Sequence, residues 1–179
     1  MQIEQQIPLL EELLTPWQTV IGEDYTGYRN HVYRMVNYCF ALKDCDAEEK
    51  QKIIIAAAFH DVGIWIEQTI DYLEPSVVPA LAYLQEHQLA SWSEEITLMI
   101  TEHHKIRAVN EPRFPLVELF RQGDLLDFSW GTVRFGVDKS LIAELKIAFP
   151  NAGFHKGLGS KAWRWFLKHP LNPVPMMKW

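Results

Sequence analysis

The sequence has little of what marks several classes of protein. It contains only two cysteines, Cys39 and Cys45, which are too few for a disulfide framework, so a reducing cytoplasm is the expected compartment. Its longest apolar run is seven residues, Ile53 to Phe59, whereas a membrane helix needs about 18. The first ten residues include Glu4 and no basic residue. We therefore expect neither a secretory signal nor a membrane partner.

Positive charge is also scarce. The 17 Lys and Arg residues are outnumbered by 23 Asp and Glu residues, which leaves a net charge of −6. This balance argues against a nucleic-acid partner bound through bulk charge, although a locally basic pocket stays compatible with it. At 179 residues, 48% of them hydrophobic, the chain is long enough to form one globular domain with its own core. Because no linker divides it, we expect a single domain over 1–179.

Glycine and proline are missing from two long windows, 28–62 and 80–111, which predicts helices there. Strand patterns are nearly absent, and Thr132–Phe135 is the one short stretch that resembles a strand. The prediction is an all-α, single-domain bundle of six to eight helices, followed by an apolar extended tail over 171–179 that packs on the body or on a neighbour. The predicted helices cover approximately 28–42, 46–59, 75–87, 91–104, 115–127, 138–150 and 160–169. Asp46 followed by Glu49 predicts a capping box at the start of the second.

The pair His60-Asp61 follows directly after the apolar run, where further core residues would be expected. We expect the pair at an inward-facing helix end, with Gly63 as the C-cap. A buried carboxylate beside an imidazole costs several kcal/mol unless charge or hydrogen bonds compensate it. A divalent metal ion would compensate it, since both side chains are common ligands. The alternative is a His-Asp salt bridge at a turn.

Two further polar residues, His31 and Asp124, fall on or near predicted buried faces. His31 lies on the apolar stripe of the first predicted helix, and Asp124 follows Gly123 in the fifth. Alone, each would usually be a hydrogen-bonded core residue. With His60-Asp61 they form a His₂Asp₂ set on three helices. This mixture of nitrogen and oxygen ligands suits a divalent transition metal such as Mn, Fe, Co, Ni or Zn, and Mg is also compatible.

These residues resemble the H…HD…D signature of the HD-domain metal-dependent phosphohydrolase superfamily, over about residues 25–130. The resemblance implies an all-α fold in which His31, His60, Asp61 and Asp124 hold one or two metal ions. It also implies hydrolysis of a phosphoester, with Asp61 either bridging two ions or orienting the attacking water. The flanking phrases that carry the resemblance are Tyr28-Arg29-Asn30-His31, Ala57-Ala58-Phe59-His60-Asp61-Val62-Gly63 and Gly123-Asp124-Leu125-Leu126.

A second stretch, His103-His104-Lys105, ends the fourth predicted helix. In binuclear members of the family, histidines in such positions bind the second metal ion, and in mononuclear members a His or Lys contacts the phosphate. The alternative is a solvated helix terminus, where the helix dipole favours basic side chains. Binuclear members carry another histidine where this chain has Glu74, so Glu74 or His87 is a further candidate ligand. For His87, a helix C-terminal cap is the competing interpretation.

The leading functional hypothesis is a metal-dependent phosphohydrolase that cleaves a small phosphorylated substrate, either a phosphomonoester or a nucleotide. One alternative is an HD-type di-iron oxygenase, which would need Glu74 or His87 to complete its ligand set. The other is a regulatory HD domain that binds metal without catalysis. A C-terminal aromatic cluster is interpreted first as packing, with a homodimer contact or a lid over the pocket as the alternative; its members are Trp163, Trp165, Phe166 and Trp179.

Overall fold

The computed structural model describes residues 3–177, and all of its regular secondary structure is helical. Seven helices have ten or more residues, which confirms the predicted all-α bundle. Three short 3₁₀ turns occur at Thr15–Trp17, Gly22–Asp24 and Ala90–Trp92. The α-helices are α1 (Pro8–Leu14), α2 (Gln18–Ile21), α3 (Tyr25–Leu42), α4 (Ala47–Phe59), α5 (Gly63–Ile66), α6 (Leu73–Glu86), α7 (Ser93–Glu102), α8 (Leu116–Phe128), α9 (Lys139–Ala148) and α10 (Phe154–Lys168).

The capping box predicted at the start of α4 is present. The Asp46 carboxylate accepts a hydrogen bond from the backbone N–H of Glu49, and the Glu49 carboxylate accepts one from the backbone N–H of Asp46. These two bonds satisfy N–H groups that a helix start leaves without partners. The capping box thus fixes where α4 begins. His60 and Asp61 follow directly after the last residue of this helix.

Three segments differ from what the sequence patterns indicated. The chain forms α1 from Pro8, which the sequence patterns did not indicate. A helix this short is stabilised by its buried leucines rather than by helix propensity. Helix α10 begins at Phe154 rather than Ser160, since Phe154 is buried and anchors the first turn although glycines follow at positions 157 and 159. The segment Thr132–Phe135 is a turn region between α8 and α9 rather than a strand.

Gly63 is not the C-cap of α4. His60 takes that position, and Gly63 instead begins the one-turn helix α5. A Cβ atom on Gly63 would lie 2.5 Å from the carbonyl oxygen of Tyr72 and 2.8 Å from the backbone nitrogen of Ser76. The glycine is therefore needed for the close approach of α5 to the start of α6, where its N–H donates to Ser76 Oγ.

Helix α3 lies at the centre of the bundle and packs along α8. Gly123 of α8 allows this close packing, because a Cβ atom there would lie 2.4 Å from Cys39 Sγ and 3.2 Å from the carbonyl oxygen of Met35. The two helices consequently bring His31 and Asp124 side by side. Both cysteines are free and buried, in agreement with a structural role for Cys39 and Cys45.

The C-terminal helix is packed much less closely than the bundle. Phe154 is the one buried residue of α10, whereas Trp163 is 61% exposed and Leu167 is 64% exposed. In the tail, Leu171 is fully exposed and Met176 packs against the core. Trp179, the last member of the predicted aromatic cluster, lies outside the described residues.

Across residues 3–177, every helix is too short or too polar to span a membrane.

Candidate metal centre

The structure brings the four predicted metal ligands together inside the bundle. His31 comes from the middle of α3, His60 and Asp61 from the end of α4, and Asp124 from α8, and all four side chains are buried. His31 Nε2 lies 3.1 Å from His60 Nε2 and 3.4 Å from Asp124 Oδ1. His60 Nε2 lies 3.2 Å from Asp61 Oδ2. His31, His60 and Asp61 thus lie close enough together to hold one metal ion, and Asp124 adjoins them next to His31.

These separations fit a shared metal ion. Ligand atoms that are each about 2.1 Å from one ion lie roughly 3.0–3.4 Å apart at octahedral or tetrahedral angles. The three distances above fall in that interval. Two other pairs, His31 Nε2 to Asp61 Oδ2 and His60 Nε2 to Asp124 Oδ1, are 4.0 and 3.9 Å apart, which is longer than the separation of adjacent ligands around an ion.

Hydrogen bonds at Nδ1 orient three of the imidazoles. His60 Nδ1 is 2.8 Å from the carbonyl oxygen of Ala57, and His103 Nδ1 is 2.7 Å from that of Ile100. Because a carbonyl oxygen only accepts, each of these Nδ1 atoms must donate. His31 Nδ1 likewise donates to the carboxylate of Asp127, at 2.7 Å. All three histidines therefore turn Nε2, the atom available to a metal ion, toward the same interior space.

The hydrogen-bonded pair Arg34 and Asp127 supports His31 from behind, and the sequence analysis did not identify it. The Arg34 guanidinium donates to both oxygens of Asp127, at 2.6 and 2.7 Å, and to the carbonyl oxygen of Phe149 at 2.8 Å. Arg34 follows His31 by three residues and Asp127 follows Asp124 by three. The sequence did contain a signal for this pair, because each of the two charged residues lies one helical turn after a candidate ligand on an apolar helix face.

A second group of ligands adjoins the first and shares Asp61 with it. Asp61, His103 and His104 lie close enough to hold a metal ion. His103 Nε2 and Asp61 Oδ1 are 3.5 Å apart, and both are buried without a hydrogen-bond partner. Buried polar atoms are normally satisfied, so this pair of atoms marks a place where a cation would supply the missing interaction. His104 is oriented by Tyr72, whose hydroxyl is 2.5 Å from His104 Nε2; nothing in the sequence singled out Tyr72.

The charges at the centre are coupled. Burial by itself lowers the pKa of His60, but the charge of Asp61 and its hydrogen bond, together with the charge of Asp124, outweigh burial and raise that pKa to about 9. Burial favours the neutral form of Asp61, yet the charge of His60 holds the Asp61 pKa well below its usual value. Burial raises the pKa of Asp124. The Asp61 carboxylate is thus buried beside a His60 imidazole whose positive charge offsets it, and a divalent cation would provide the same compensation while releasing the proton of His60.

The other predicted site residues lie apart from the two groups. Glu74 is exposed on α6, and His87 is exposed at the end of that helix, where its Nδ1 is hydrogen bonded to the carbonyl oxygen of Tyr83. Among residues 3–177, neither belongs to a set of potential metal ligands. The structure thus places His87 in the capping role that was its alternative. Lys105 is partly exposed and pairs with Glu102 at 2.7 Å.

A cavity of about 610 Å³ lies at a different place, between α10 and the segment that contains α5. Trp65, Lys161 and Arg164 are among its lining residues, and none of the predicted metal ligands lines it.

Comparison with known proteins identifies no relative, since no family model, no curated protein and no solved structure matches the chain. What the structure establishes is an all-helical protein in which buried histidine and aspartate groups can hold a metal ion.

Proposed function

We propose that this protein is a metal-dependent phosphohydrolase of the HD-domain type that acts on a small phosphomonoester or nucleotide. The observation that carries the proposal is the convergence of His31, His60, Asp61 and Asp124, in the order of the H…HD…D signature, at separations that suit one metal ion.

Each ligand has a distinct task in this proposal. A bound divalent ion supplies positive charge that polarises a phosphoryl oxygen and lowers the pKa of water. His31 and His60 present neutral Nε2 atoms to it, because their Nδ1 atoms are held as donors. Asp124 provides an anionic ligand from the opposite helix. Asp61 belongs to both groups and can either bind an ion on each side or accept a proton from the attacking water.

The second group, Asp61 with His103 and His104, provides a place for a second ion or for the phosphate. With Glu74 and His87 remote, this group offers three protein ligands, so we expect an ion there to exchange more readily than the first. Lys105 follows these histidines and is partly exposed. When released from Glu102, its ammonium group can contact a phosphate oxygen.

Metal analysis and a substrate screen test the proposal together. Protein purified without chelator should contain one or two metal ions per chain, and it should hydrolyse phosphomonoesters or nucleotides in the presence of Mn, Co, Ni, Zn or Mg. Asp61→Ala should remove the metal and reduce hydrolysis by at least about 100-fold, because even outer partners of metal ligands cost 10- to 100-fold. Asp71→Ala, at an exposed aspartate on the following loop, is the matched control.

The same measurements separate the alternatives. Full retention of metal by Asp61→Ala would contradict the ligand assignment. Two irons per chain with consumption of dioxygen would indicate the oxygenase. Stoichiometric metal binding without hydrolysis of any ester would indicate the regulatory domain.

A further inference from the structure

Large aromatic side chains are exposed beside the metal groups, around the loop that follows α8. Phe128 is 51% exposed and Trp130 is 49% exposed, and Phe135 farther along the loop is 38% exposed. Exposed single hydrophobic residues are common, but a cluster of half-exposed aromatic rings at one place usually marks a binding surface.

Phe128 connects this cluster to the metal groups. It follows Asp124 by four residues on α8, so both side chains lie on the same helix face, Asp124 buried and Phe128 one turn nearer to solvent. The Phe128 ring is centred 6.5 Å from that of His104. The His104 side chain is 15% exposed, whereas those of His31, His60, Asp61 and Asp124 are at most 5% exposed. Phe128 therefore lies at the edge where the metal groups come nearest to solvent.

Two neighbouring residues contact the aromatic rings of this loop. The ring of His155 lies 5.9 Å from that of Phe128 and is stacked on Trp130 at 4.6 Å. Lys146 donates from Nζ to the carbonyl oxygen of Trp130 and lies 5.4 Å from its indole ring. Trp130 is thus held by His155 and Lys146, whereas Phe128 is the half-exposed ring that also lies next to His104.

The backbone of the loop is strained where it carries the aromatic residues. Trp130 has φ of 55° and Phe135 has φ of 49°, in the left-handed region that bulky residues rarely adopt. Phe135 lies beneath the guanidinium of Arg121, at 5.8 Å, and Arg121 also donates to the carbonyl oxygen of Lys105. Strain of this kind persists where surrounding contacts enforce it, and it is concentrated at binding and catalytic sites.

We propose that Phe128 is a specificity-determining residue that binds the organic group of the substrate, with Trp130 and His155 as its support. The substrate is then an ester in which the phosphate carries a planar aromatic or heterocyclic group, rather than a short aliphatic alcohol. This inference rests on the proposed function, because it takes the phosphate to lie at the metal groups. A ring attached to that phosphate meets Phe128 on its way to solvent, and two aromatic rings gain from offset stacking beyond the burial of apolar area.

The test compares benzyl phosphate with ethyl phosphate, whose alcohol leaving groups are chemically similar. With the metal-loaded protein we expect a higher kcat/KM for benzyl phosphate. Phe128→Ala should reduce the ratio of the two kcat/KM values by about 3- to 10-fold, chiefly through the KM for benzyl phosphate. Phe128→Tyr should keep the ratio, and Phe128→Leu should lower it while preserving a packed side chain. Phe166→Ala, at a 38% exposed ring on α10, should leave the ratio as it is.

Metal content and far-UV circular dichroism of each variant establish that the centre and the fold are intact. An unchanged ratio in both Phe128→Ala and Phe128→Leu would overturn the inference. If these proteins still hydrolyse the esters, that result would leave the proposed function supported. Benzylphosphonate and ethylphosphonate are not hydrolysed, so calorimetry of their binding tests the ring site separately from the reaction. Metal-dependent binding with a Phe128-dependent preference for the benzyl compound, in a protein that hydrolyses no ester, would support the ring site and reject the proposed reaction.

Discussion

The interior of the bundle and the C-terminal helix invert the usual distribution of polar and apolar residues in opposite ways. Between α3, α4 and α8, buried histidines and aspartates occupy positions where a helical protein normally places leucine. On α10, by contrast, Trp163 and Leu167 are largely exposed. His31, Arg34 and Asp127 of the interior are held by short hydrogen bonds to one another, whereas α10 buries only Phe154.

The interior of the bundle therefore depends on specific polar partners, whereas α10 is attached to the bundle mainly through its first turn. A buried polar group lowers stability unless each partner is in place, so the interior tolerates little change. Exposed apolar residues contribute little to stability, and their loss should be nearly neutral. Matched substitutions in the two regions therefore provide direct tests of the contrast.

The largest difference is expected between two ion pairs. Arg34→Met leaves Asp127 buried with its charge uncompensated by Arg34, and we expect a loss of about 3–5 kcal/mol in the free energy of unfolding. Lys161→Met removes the partner of Asp24 near α10, where both side chains are 33% exposed, and should cost less than about 1 kcal/mol. Urea denaturation of both variants measures these losses. Equal losses would contradict the contrast between the regions.

The second test is acid titration of the metal-free protein. Burial raises the pKa of Asp127, but hydrogen bonds from His31 and Arg34 outweigh it and lower the pKa to about 2 from the usual 3.8. Because the folded-state pKa is depressed, the stabilisation is complete above pH 4 and is lost as the pH falls from about 4 to 2. The stability gap between the protein and Asp127→Asn should shrink by roughly 2 kcal/mol over that interval.

The control for this titration is Asp24→Asn. Burial raises the pKa of Asp24, but hydrogen bonds from Trp65 and Lys161 outweigh burial and leave that pKa below its usual value. The Asp24 side chain is, however, 33% exposed. Its stability gap should therefore change less across the same interval. A gap for Asp127→Asn that stays constant down to pH 2 would show that folding does not lower the pKa of Asp127.

The last comparison uses two glycines, whose substitutions should change the free energy of unfolding with opposite signs. Gly123→Ala places a methyl group against Cys39 Sγ and should cost about 1–3 kcal/mol, with partial recovery in the double variant that adds Cys39→Ala. Gly159→Ala, in the interior of α10, meets nothing within 4 Å and should stabilise the protein by about 0.5–1 kcal/mol. Thermal unfolding measures both. A destabilised Gly159→Ala would mean that α10 packs more tightly than its exposure indicates.

Sequence reasoning succeeded where the signal is local and periodic. The stripe from Tyr28 to Leu42 corresponds to α3, and the Asp46–Glu49 capping box begins α4 as predicted. It failed where packing overrides propensity. Phe154 starts α10 despite the glycines that follow, and Gly63 serves a close helix approach rather than a helix end.

At the candidate site the same division holds. The four ligands in the H…HD…D order could be selected from the sequence, because each interrupts an apolar pattern. Asp127, Arg34 and Tyr72 could not be assigned to them, since their roles depend on contacts between helices that are far apart in the chain. The exposure of Glu74 and His87 could likewise not be predicted, because the position of a residue in a helix does not reveal which other helix packs against it.

By itself, the sequence determined that the chain is helical and that polar residues interrupt its most apolar helix at His60-Asp61. Hydrophobic periodicity and capping act over a few residues, so they can be recognised along the chain. Only the tertiary structure decided that His31, His60, Asp61 and Asp124 meet, that Asp61 is shared with His103 and His104, and that Phe128 stands at their edge. Those outcomes depend on how closely α3, α4 and α8 approach, which is governed by side-chain volume at contacts such as Gly123 with Cys39.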